Sequence, residues 1–121
     1  MSKIGYVYII RNDEHQPNRF KVGQTYDLDR RISELNRETS NVGQFYIVAK
    51  FPVEDVDKAE RECHQTLREV RKAKEFFDGP EATIVSIVKK ITEQYTPQMY
   101  IRDPGKVGSA EGEEQLKIKP E

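Results

Sequence analysis

Two short apolar runs near the start of the chain constrain its fold more than any other feature. They occupy residues 6–10 (YVYII) and residues 20–25 (FKVGQT), and a polar connector over residues 12–18 separates them. The connector is rich in turn-forming residues, and the runs have the length and composition of β-strands. We therefore expect residues 5–11 and residues 20–25 to pair as a β-hairpin, with His15 of the connector facing solvent.

Three later segments have the 3.6-residue spacing of apolar side chains that is typical of amphipathic helices. Asp27 is the expected N-cap of the first, the second covers residues 54–72, and the third covers residues 81–95. Arg31 shares the apolar stripe of the first helix with Leu28, so it needs an anionic partner or an open cleft. The stripe expected to be buried in the second helix is Val56, Ala59, Cys63, Leu67 and Val70. In the third helix it is Ile84, Ile87, Val88 and Ile91.

One further strand is predicted between the first two helices, over residues 44–51, and Pro52 is expected to end it. Residues 75–77 predict a short strand or a tight loop. The order β-β-α-β-α-(β)-α predicts an α+β fold with a small, mostly antiparallel, three-stranded sheet flanked by about three helices. Residues 1–102 form one predicted domain, and residues 103–121, where apolar side chains are sparse, form a predicted flexible acidic tail.

The composition argues against several classes of protein. The single cysteine, Cys63, leaves no internal disulfide and no cysteine-rich zinc site, which favours a reducing, cytoplasmic location. No apolar stretch approaches the roughly 20 residues that a membrane-spanning helix needs, so no membrane partner is expected. The net charge of -1 carries no global signal for nucleic acid. Basic residues nevertheless cluster at residues 30–37 and 68–74, and either cluster could contact phosphates.

Five side chains have chemistry that suits phosphodiester hydrolysis. Tyr8 could act as a general base if cations lowered the pKa of its phenol, or could relay a proton. Lys21 and Arg31 are the candidate cations, and the planar fork of Arg31 suits the oxygens of a phosphate. Glu60 could bind one Mg²⁺ ion, and His64, on the same helical face, could orient that carboxylate. Each residue also has a purely structural interpretation, as strand packing, surface charge or a half-buried helix histidine.

With these residues in this order, the chain resembles the GIY-YIG nuclease domains. Residues 6–8 are similar to the first family motif and residues 21–23 to the second, with a lysine in place of the second motif's tyrosine. Arg31 follows the second motif at the spacing of the family arginine. Two later segments, residues 59–64 and residues 75–77, resemble a compact branch of the family that is common in phages and microbes.

This resemblance implies a metal-dependent endonuclease whose partner is nucleic acid, with DNA favoured over RNA. Tyr8 would activate the attacking water with help from Lys21. Arg31 would bind the scissile phosphate, and Glu60 would hold a single Mg²⁺ or Mn²⁺ ion. The family's fold agrees with the α+β architecture that the patterning predicts, and the resemblance covers about residues 5–95.

Besides the lysine of the second motif, the chain departs from the family pattern at three places. Tyr6 replaces the glycine of the first motif, and Leu35 stands where many members have a histidine after the arginine. The late asparagine of the family is missing around residues 97–99. His64 is the candidate substitute for the missing histidine. The candidate substrate-binding residues are Tyr6, Gly23, Arg30 and Arg71.

Two other functions are compatible with the sequence. One is a catalytically weak module of the same fold that binds nucleic acid or recruits a partner. The other is an interaction protein whose acidic tail mimics nucleic acid or competes with it. A single small domain makes few phosphate contacts, so specificity would come from a homodimer, a partner protein or a branched substrate.

Overall fold

The hairpin predicted near the start of the chain forms the centre of the sheet. The computed structural model of the chain describes residues 4–38 and 43–97. Strand β1 (Gly5–Asn12) pairs with β2 (Arg19–Thr25) in antiparallel register, and this register places Tyr8 opposite Gly23. Both strands alternate side chains between the two faces of the sheet, so each face receives every second residue.

Three more strands extend the hairpin to a five-stranded sheet in the order β3-β1-β2-β5-β4, with all neighbours antiparallel. Strand β3 (Phe45–Val53) lies outside β1, β5 (Phe76–Asp78) pairs with the first residues of β2, and β4 (Arg71–Ala73) forms the far edge. The α+β class is confirmed. The expected three strands are too few. Strand β5 overlaps residues 75–77, where a short strand was one of the two predicted alternatives, and β4 is too short to show an alternating pattern in the sequence.

The predicted boundaries of the third strand and of the second helix are wrong. Strand β3 continues through Pro52, which pairs opposite Tyr6, because β3 lies at the sheet edge, where a residue without an N–H is tolerated. Helix α2 (Val56–Thr66) is shorter than residues 54–72, since a 3-10 turn follows it and the chain then enters β4. Val70 belongs to that turn and is 41% exposed instead of buried.

The first helix begins where the predicted Asp27 cap places it, and Asp55, for which no cap was predicted, caps the second. Asp27 accepts a hydrogen bond from the backbone N–H of Arg30 at the start of α1 (Leu28–Arg37), and Asp55 does the same for Lys58 in α2. Helix α3 (Glu81–Thr92) follows Pro80, and the last three residues of its predicted range form a 3-10 turn.

The two faces of the sheet bury separate apolar clusters. Helices α2 and α3 cover one face, and α1 covers part of the other. The larger cluster contains Val7, Ile9, Phe20, Val22, Val53, Val56, Ala59, Cys63, Leu67, Phe77, Ile84 and Val88. The smaller cluster contains Tyr8, Ile10, Leu28, Leu35 and Phe45, with Ile32 and Phe76 packed against it.

The connector between β1 and β2 folds back over the end of the smaller cluster. His15 is half-buried there and lies edge-on to the rings of Phe45 and Phe76, at centroid distances of 5.9 and 5.5 Å. The expectation that His15 faces solvent is therefore wrong. Burial and the charges of Arg19 and Arg11 lower the pKa of His15 below its usual value.

In the part of the chain that the structure describes, no helix is both long enough and apolar enough to cross a membrane. The predicted acidic tail of residues 103–121 lies outside the described residues, as does the late position around residues 98–99.

Candidate active site

Tyr8 occupies the middle of the central strand and points to the face that α1 covers. Its cross-strand neighbours are Gly23 on β2 and Lys50 on β3. A Cβ atom at residue 23 would lie 2.5 Å from the Tyr8 hydroxyl oxygen and 3.0 Å from Glu75 Oε1. Gly23 is therefore the residue that makes room for the Tyr8 ring, which is only 1% exposed.

The phenol of Tyr8 is not activated by its surroundings in the way that the sequence suggested. Burial raises the pKa of Tyr8 above its ordinary value, and a hydrogen bond from Arg31 opposes this. The carboxylates of Glu75 and Glu60 raise the pKa of Tyr8 further. The phenol is therefore protonated at neutral pH. Of the two expected cations, Arg31 acts on Tyr8, while Lys21 is paired elsewhere.

Arg31 lies on the inner side of α1, as the helical spacing predicts, and its side chain is 36% exposed. Its guanidinium donates to the Tyr8 hydroxyl and lies 3.6 Å from Glu34 Oε1. The hydrogen bond to Tyr8 is the main reason that the pKa of Arg31 is raised. Arg30 points away from this cluster, is 74% exposed and pairs with Glu34 at 3.1 Å. The structure therefore brings Arg31, but not Arg30, to Tyr8.

Lys21 is held by a residue to which sequence reasoning gave no role. Lys21 Nζ lies 3.0 Å from Glu75 Oε1 and 5.1 Å from the ring centroid of Phe76, and the lysine side chain is only 12% exposed. Glu75 occupies the turn between β4 and β5, where the preceding Lys74 has a φ of 48°. The acidic-aromatic segment at residues 75–77 was the available signal for Glu75, but its partner was not predictable.

Glu60 and His64 lie together on α2, one turn apart. His64 Nε2 is 2.8 Å from the Val22 carbonyl oxygen and 4.0 Å from Glu60 Oε2. Because a carbonyl only accepts, His64 carries its proton on Nε2 and donates it to Val22. Burial raises the pKa of Glu60, with Glu75 acting in the same direction and His64 against it.

A gap in the pairing of β2 lets α2 approach the Tyr8 cluster. Strand β5 pairs only with residues 19–21 of β2, and the Val22 N–H donates to the Glu75 carbonyl oxygen of the preceding turn. Within the described residues, no strand pairs with the rest of β2 on that side. Polar side chains of α2 bond to this stretch: His64 Nε2 donates to the Val22 carbonyl oxygen, and Asp57 Oδ1 accepts from the side-chain amide of Gln24 at 3.0 Å. Glu60 therefore lies near enough to Tyr8 to raise the pKa of its phenol.

A cleft of about 640 Å³ continues from Glu60 along α2. Arg71, a predicted substrate-binding residue, lines its far end. The Arg71 Nε donates to the Lys74 carbonyl oxygen, and the guanidinium lies 5.9 Å from the ring centroid of Phe77. The cleft connects Arg71 to Glu60 and His64, but not to Tyr8, which does not line it.

Tyr6 and Lys50 lie on the other side of Tyr8. The half-buried ring of Tyr6 carries the Lys50 ammonium at 5.7 Å from its centroid. Lys50 is exposed, and the strand register places it directly beside Tyr8. Sequence reasoning missed Lys50, because the pairing of β3 with β1 sets its position and includes a register shift at Ile9/Ile10.

The carboxylate of Glu60 is the candidate metal ligand of this site. No group of three or more histidine, cysteine or acidic side chains that could hold a metal occurs within residues 4–38 and 43–97. Mg²⁺ keeps most of its waters and can be held by one carboxylate. Glu60 suits such an ion, because Glu75 and Asp57 add negative charge around a carboxylate that is already partly desolvated.

Comparison with known proteins agrees with the extent of this fold. A protein of Invertebrate iridescent virus 6, described as "Uncharacterized protein 460R", is 27% identical over 116 residues, which are 95% of this chain and 51% of that protein. The chain thus spans about half the length of this relative. No solved structure matches the chain with statistical significance. The model of the T5orf172 domain matches residues 5–92, which include all five strands and all three helices, and the chain belongs to the T5orf172 domain family.

Proposed function

We propose that this chain is a metal-dependent endonuclease of the GIY-YIG type that hydrolyses phosphodiester bonds of DNA. The observation that supports this most is the convergence of Tyr8, Lys21, Arg31 and Glu60, from four different elements, around the carboxylate of Glu75. The T5orf172 domain is found in nuclease-like proteins of phages and microbes, which favours the same class of function.

The two cations of the cluster suit the binding of a phosphate. Arg31 is only partly engaged by Tyr8 and Glu34, and its guanidinium has further N–H groups to donate. Lys21 is neutralised by Glu75 at 3.0 Å, so a phosphate would compete with that carboxylate for the ammonium group. In the proposed reaction, Arg31 binds the scissile phosphate and stabilises the charge that develops on its oxygens.

Tyr8 is the proposed general base. It takes a proton from the attacking water as the water oxygen bonds to phosphorus and the bond to the leaving oxygen breaks. Because burial raises the pKa of Tyr8, only a small fraction of the phenol is ionised at neutral pH. The proposal therefore predicts a cleavage rate that rises with pH until Tyr8 ionises.

Glu60 is the proposed ligand of one Mg²⁺ or Mn²⁺ ion, with water completing its coordination. When bound, such an ion stabilises negative charge on the phosphate and on the leaving oxygen. The proposed role of His64 is to fix the position of Glu60, since its Nε2 is anchored to the Val22 carbonyl 2.8 Å away.

The test is cleavage of supercoiled plasmid DNA in Mg²⁺ or Mn²⁺. We expect nicking by the wild-type protein and its loss in Glu60→Gln and in Arg31→Gln. Glu69→Gln and Lys90→Gln are the matched controls, because both residues are exposed and lie outside the Tyr8 cluster and the candidate substrate-binding residues. Cleavage that survives in Glu60→Gln would contradict the assigned role of that carboxylate.

The second candidate function is a DNA-binding module without catalysis, and the burial of Tyr8 favours it. A phenol that is 1% exposed and has a raised pKa is typical of packing as well as of a base. This candidate predicts that folded wild-type protein binds DNA but leaves plasmid, branched and single-stranded DNA uncut. In that case Glu60→Gln would leave the affinity for DNA unchanged or raise it, because a negative charge is removed.

A further inference from the structure

Helix α2 carries a polar face that the proposed reaction uses only at one end. Its apolar side chains enter the larger core, while a neighbouring face at spacings of three and four residues lines the cleft described above. The fold therefore exposes a continuous polar cleft. It begins at Glu60, which belongs to the reactive cluster of Tyr8, Lys21, Arg31, Glu60 and Glu75. The α2 and 3-10 residues that line it are Asp57, Glu60, Arg61, His64, Gln65 and Arg68.

Charge is unevenly distributed along this cleft. Asp57 and Glu60 lie toward the start of α2, beside the reactive cluster, whereas Arg68 and Arg71 lie beyond its end. Arg61 lies next to Glu60 in the sequence and also lines the cleft. The cleft therefore combines an acidic end, suited to a cation, with a basic end, suited to an anion.

The three arginines keep their charge available. Among the residues that the structure describes, none of the three pairs with a carboxylate. Arg68 Nη1 donates to the Gln65 carbonyl oxygen at 3.0 Å, and Arg71 Nε donates to the Lys74 carbonyl oxygen. These neutral partners orient two guanidinium groups and leave other N–H groups of each free to donate.

The distance between the acidic end and the basic end identifies the kind of anion. Arg68 follows Glu60 by eight residues, along α2 and into the 3-10 turn, which corresponds to about 12 Å at the rise of a helix. One strand of a DNA duplex rises about 3.4 Å per nucleotide, so this length spans roughly three to four nucleotides. A single small anion cannot reach from one end to the other, whereas a phosphodiester backbone can, and arginine forks suit its phosphates.

We propose that Arg61, Arg68 and Arg71 bind successive phosphates of a DNA strand on one side of the bond that is cleaved. That the bound strand is DNA rests on the proposed function, in which the residues at the acidic end of the cleft cleave DNA. Arg71 was expected from the sequence to bind substrate, and Arg68 belongs to the basic cluster that could contact phosphates. Arg61 is assigned by the cleft that it shares with them.

The test measures binding without cleavage. A short fluorescein-labelled DNA duplex is titrated with the protein in EDTA, by fluorescence anisotropy, at a series of NaCl concentrations. We expect the slope of log K against log salt to decrease in magnitude by about 0.9 for each phosphate that the protein no longer binds. Arg61→Gln should release one phosphate, and the triple Arg61→Gln, Arg68→Gln, Arg71→Gln variant should release three. The double variant Lys89→Gln, Lys90→Gln, on exposed positions of α3, is the control for removal of positive charge elsewhere on the surface.

Arg61→Gln keeps the test valid if the triple variant unfolds, because the Arg61 side chain makes no hydrogen bond or ion pair within the described residues. Far-ultraviolet circular dichroism verifies the fold of each variant. A wild-type affinity and slope in folded Arg61→Gln and in the folded triple variant would overturn the inference even if the protein cleaves DNA. An arginine-dependent slope without any cleavage would instead refute the proposed nuclease and leave the binding site standing.

Discussion

The two faces of the sheet differ in what they bury. The face under α2 and α3 holds a continuous apolar cluster, whereas the face under α1 combines a smaller apolar cluster with Tyr8, Lys21 and Arg31. Phe20 and Val22 of β2 point to the first face, and Lys21 and Gly23 point to the second. One strand thus contributes core packing to one side and candidate chemistry to the other, through the two-residue period of a β-strand.

The difference between the two faces separates stability from candidate chemistry. Burial of apolar area provides most of the stabilisation, so the face with the larger cluster dominates it. The thinner cover over the second face leaves Arg31 and Glu75 more than a third exposed, which is the access that a substrate needs. We therefore expect mutations on the two faces to have separable effects on stability and on chemistry.

The largest expected effect comes from deleting a buried ring on the face that α2 and α3 cover. Phe20→Ala should lower the free energy of unfolding by about 3–5 kcal/mol, because the ring is 1% exposed and surrounded by the larger cluster. Phe45→Ala on the other face should cost less, near the lower end of that range, since β3 lies at the sheet edge and its surroundings can relax. Urea unfolding measures both, and equal losses would contradict the comparison.

A smaller effect is expected where Tyr8 packs on the strand beside it. Gly23→Ala should cost about 1–3 kcal/mol, because the added methyl group would lie 2.5 Å from the Tyr8 hydroxyl oxygen and 2.7 Å from Cζ. Gly79→Ala is the matched control, since its nearest neighbour would be Ile84 Cδ1 at 3.3 Å. Thermal unfolding compares the two variants.

Displacement of the Tyr8 ring should accompany the loss of stability in Gly23→Ala. Its hydrogen bond with Arg31 depends on the position of the hydroxyl group over Gly23. A Gly23→Ala protein as stable as Gly79→Ala would show that the ring has room to move, and would remove the packing reason for glycine at this position.

The sequence predicted the parts of this fold that depend on local pattern. The hairpin, the Asp27 cap and the inward position of Arg31 follow from spacing and turn chemistry, and the structure confirms them. The partners of Lys50 and Glu75 were not predictable, because they depend on the register between β3 and β1 and on a turn joining two three-residue strands. Pairing across the sheet is a tertiary property, and no local pattern encodes it.

The same limit applies to the pKa of Tyr8. The residue types around it were predicted, and two cations favoured a lowered pKa. The structure adds two carboxylates and near-complete burial, and these outweigh Arg31. Lys21 is paired with Glu75, and the charges that shift the pKa of Tyr8 are those of Glu75, Arg31 and Glu60.

The smallest expected effect separates the charge of Glu75 from the packing around it. Glu75→Gln should lower the pKa of Tyr8, because the Glu75 carboxylate raises it, and should lower the pKa of Glu60 for the same reason. Removing Glu75 also frees Lys21, whose positive charge then acts in the same direction. NMR titration of tyrosine labelled at Cζ measures the shift, with Tyr8→Phe assigning the resonance.

If Tyr8 is the general base, the alkaline rise of the cleavage rate should move to lower pH in Glu75→Gln by the same amount as the Tyr8 titration, because a lower pKa provides more phenolate at a given pH. Glu69→Gln, an exposed carboxylate that does not influence Tyr8, should move neither curve. A Tyr8 titration that shifts while the rate profile stays fixed would assign Tyr8 to packing. The base would then have to be another group, although the carboxylates would still control the electrostatics of this face.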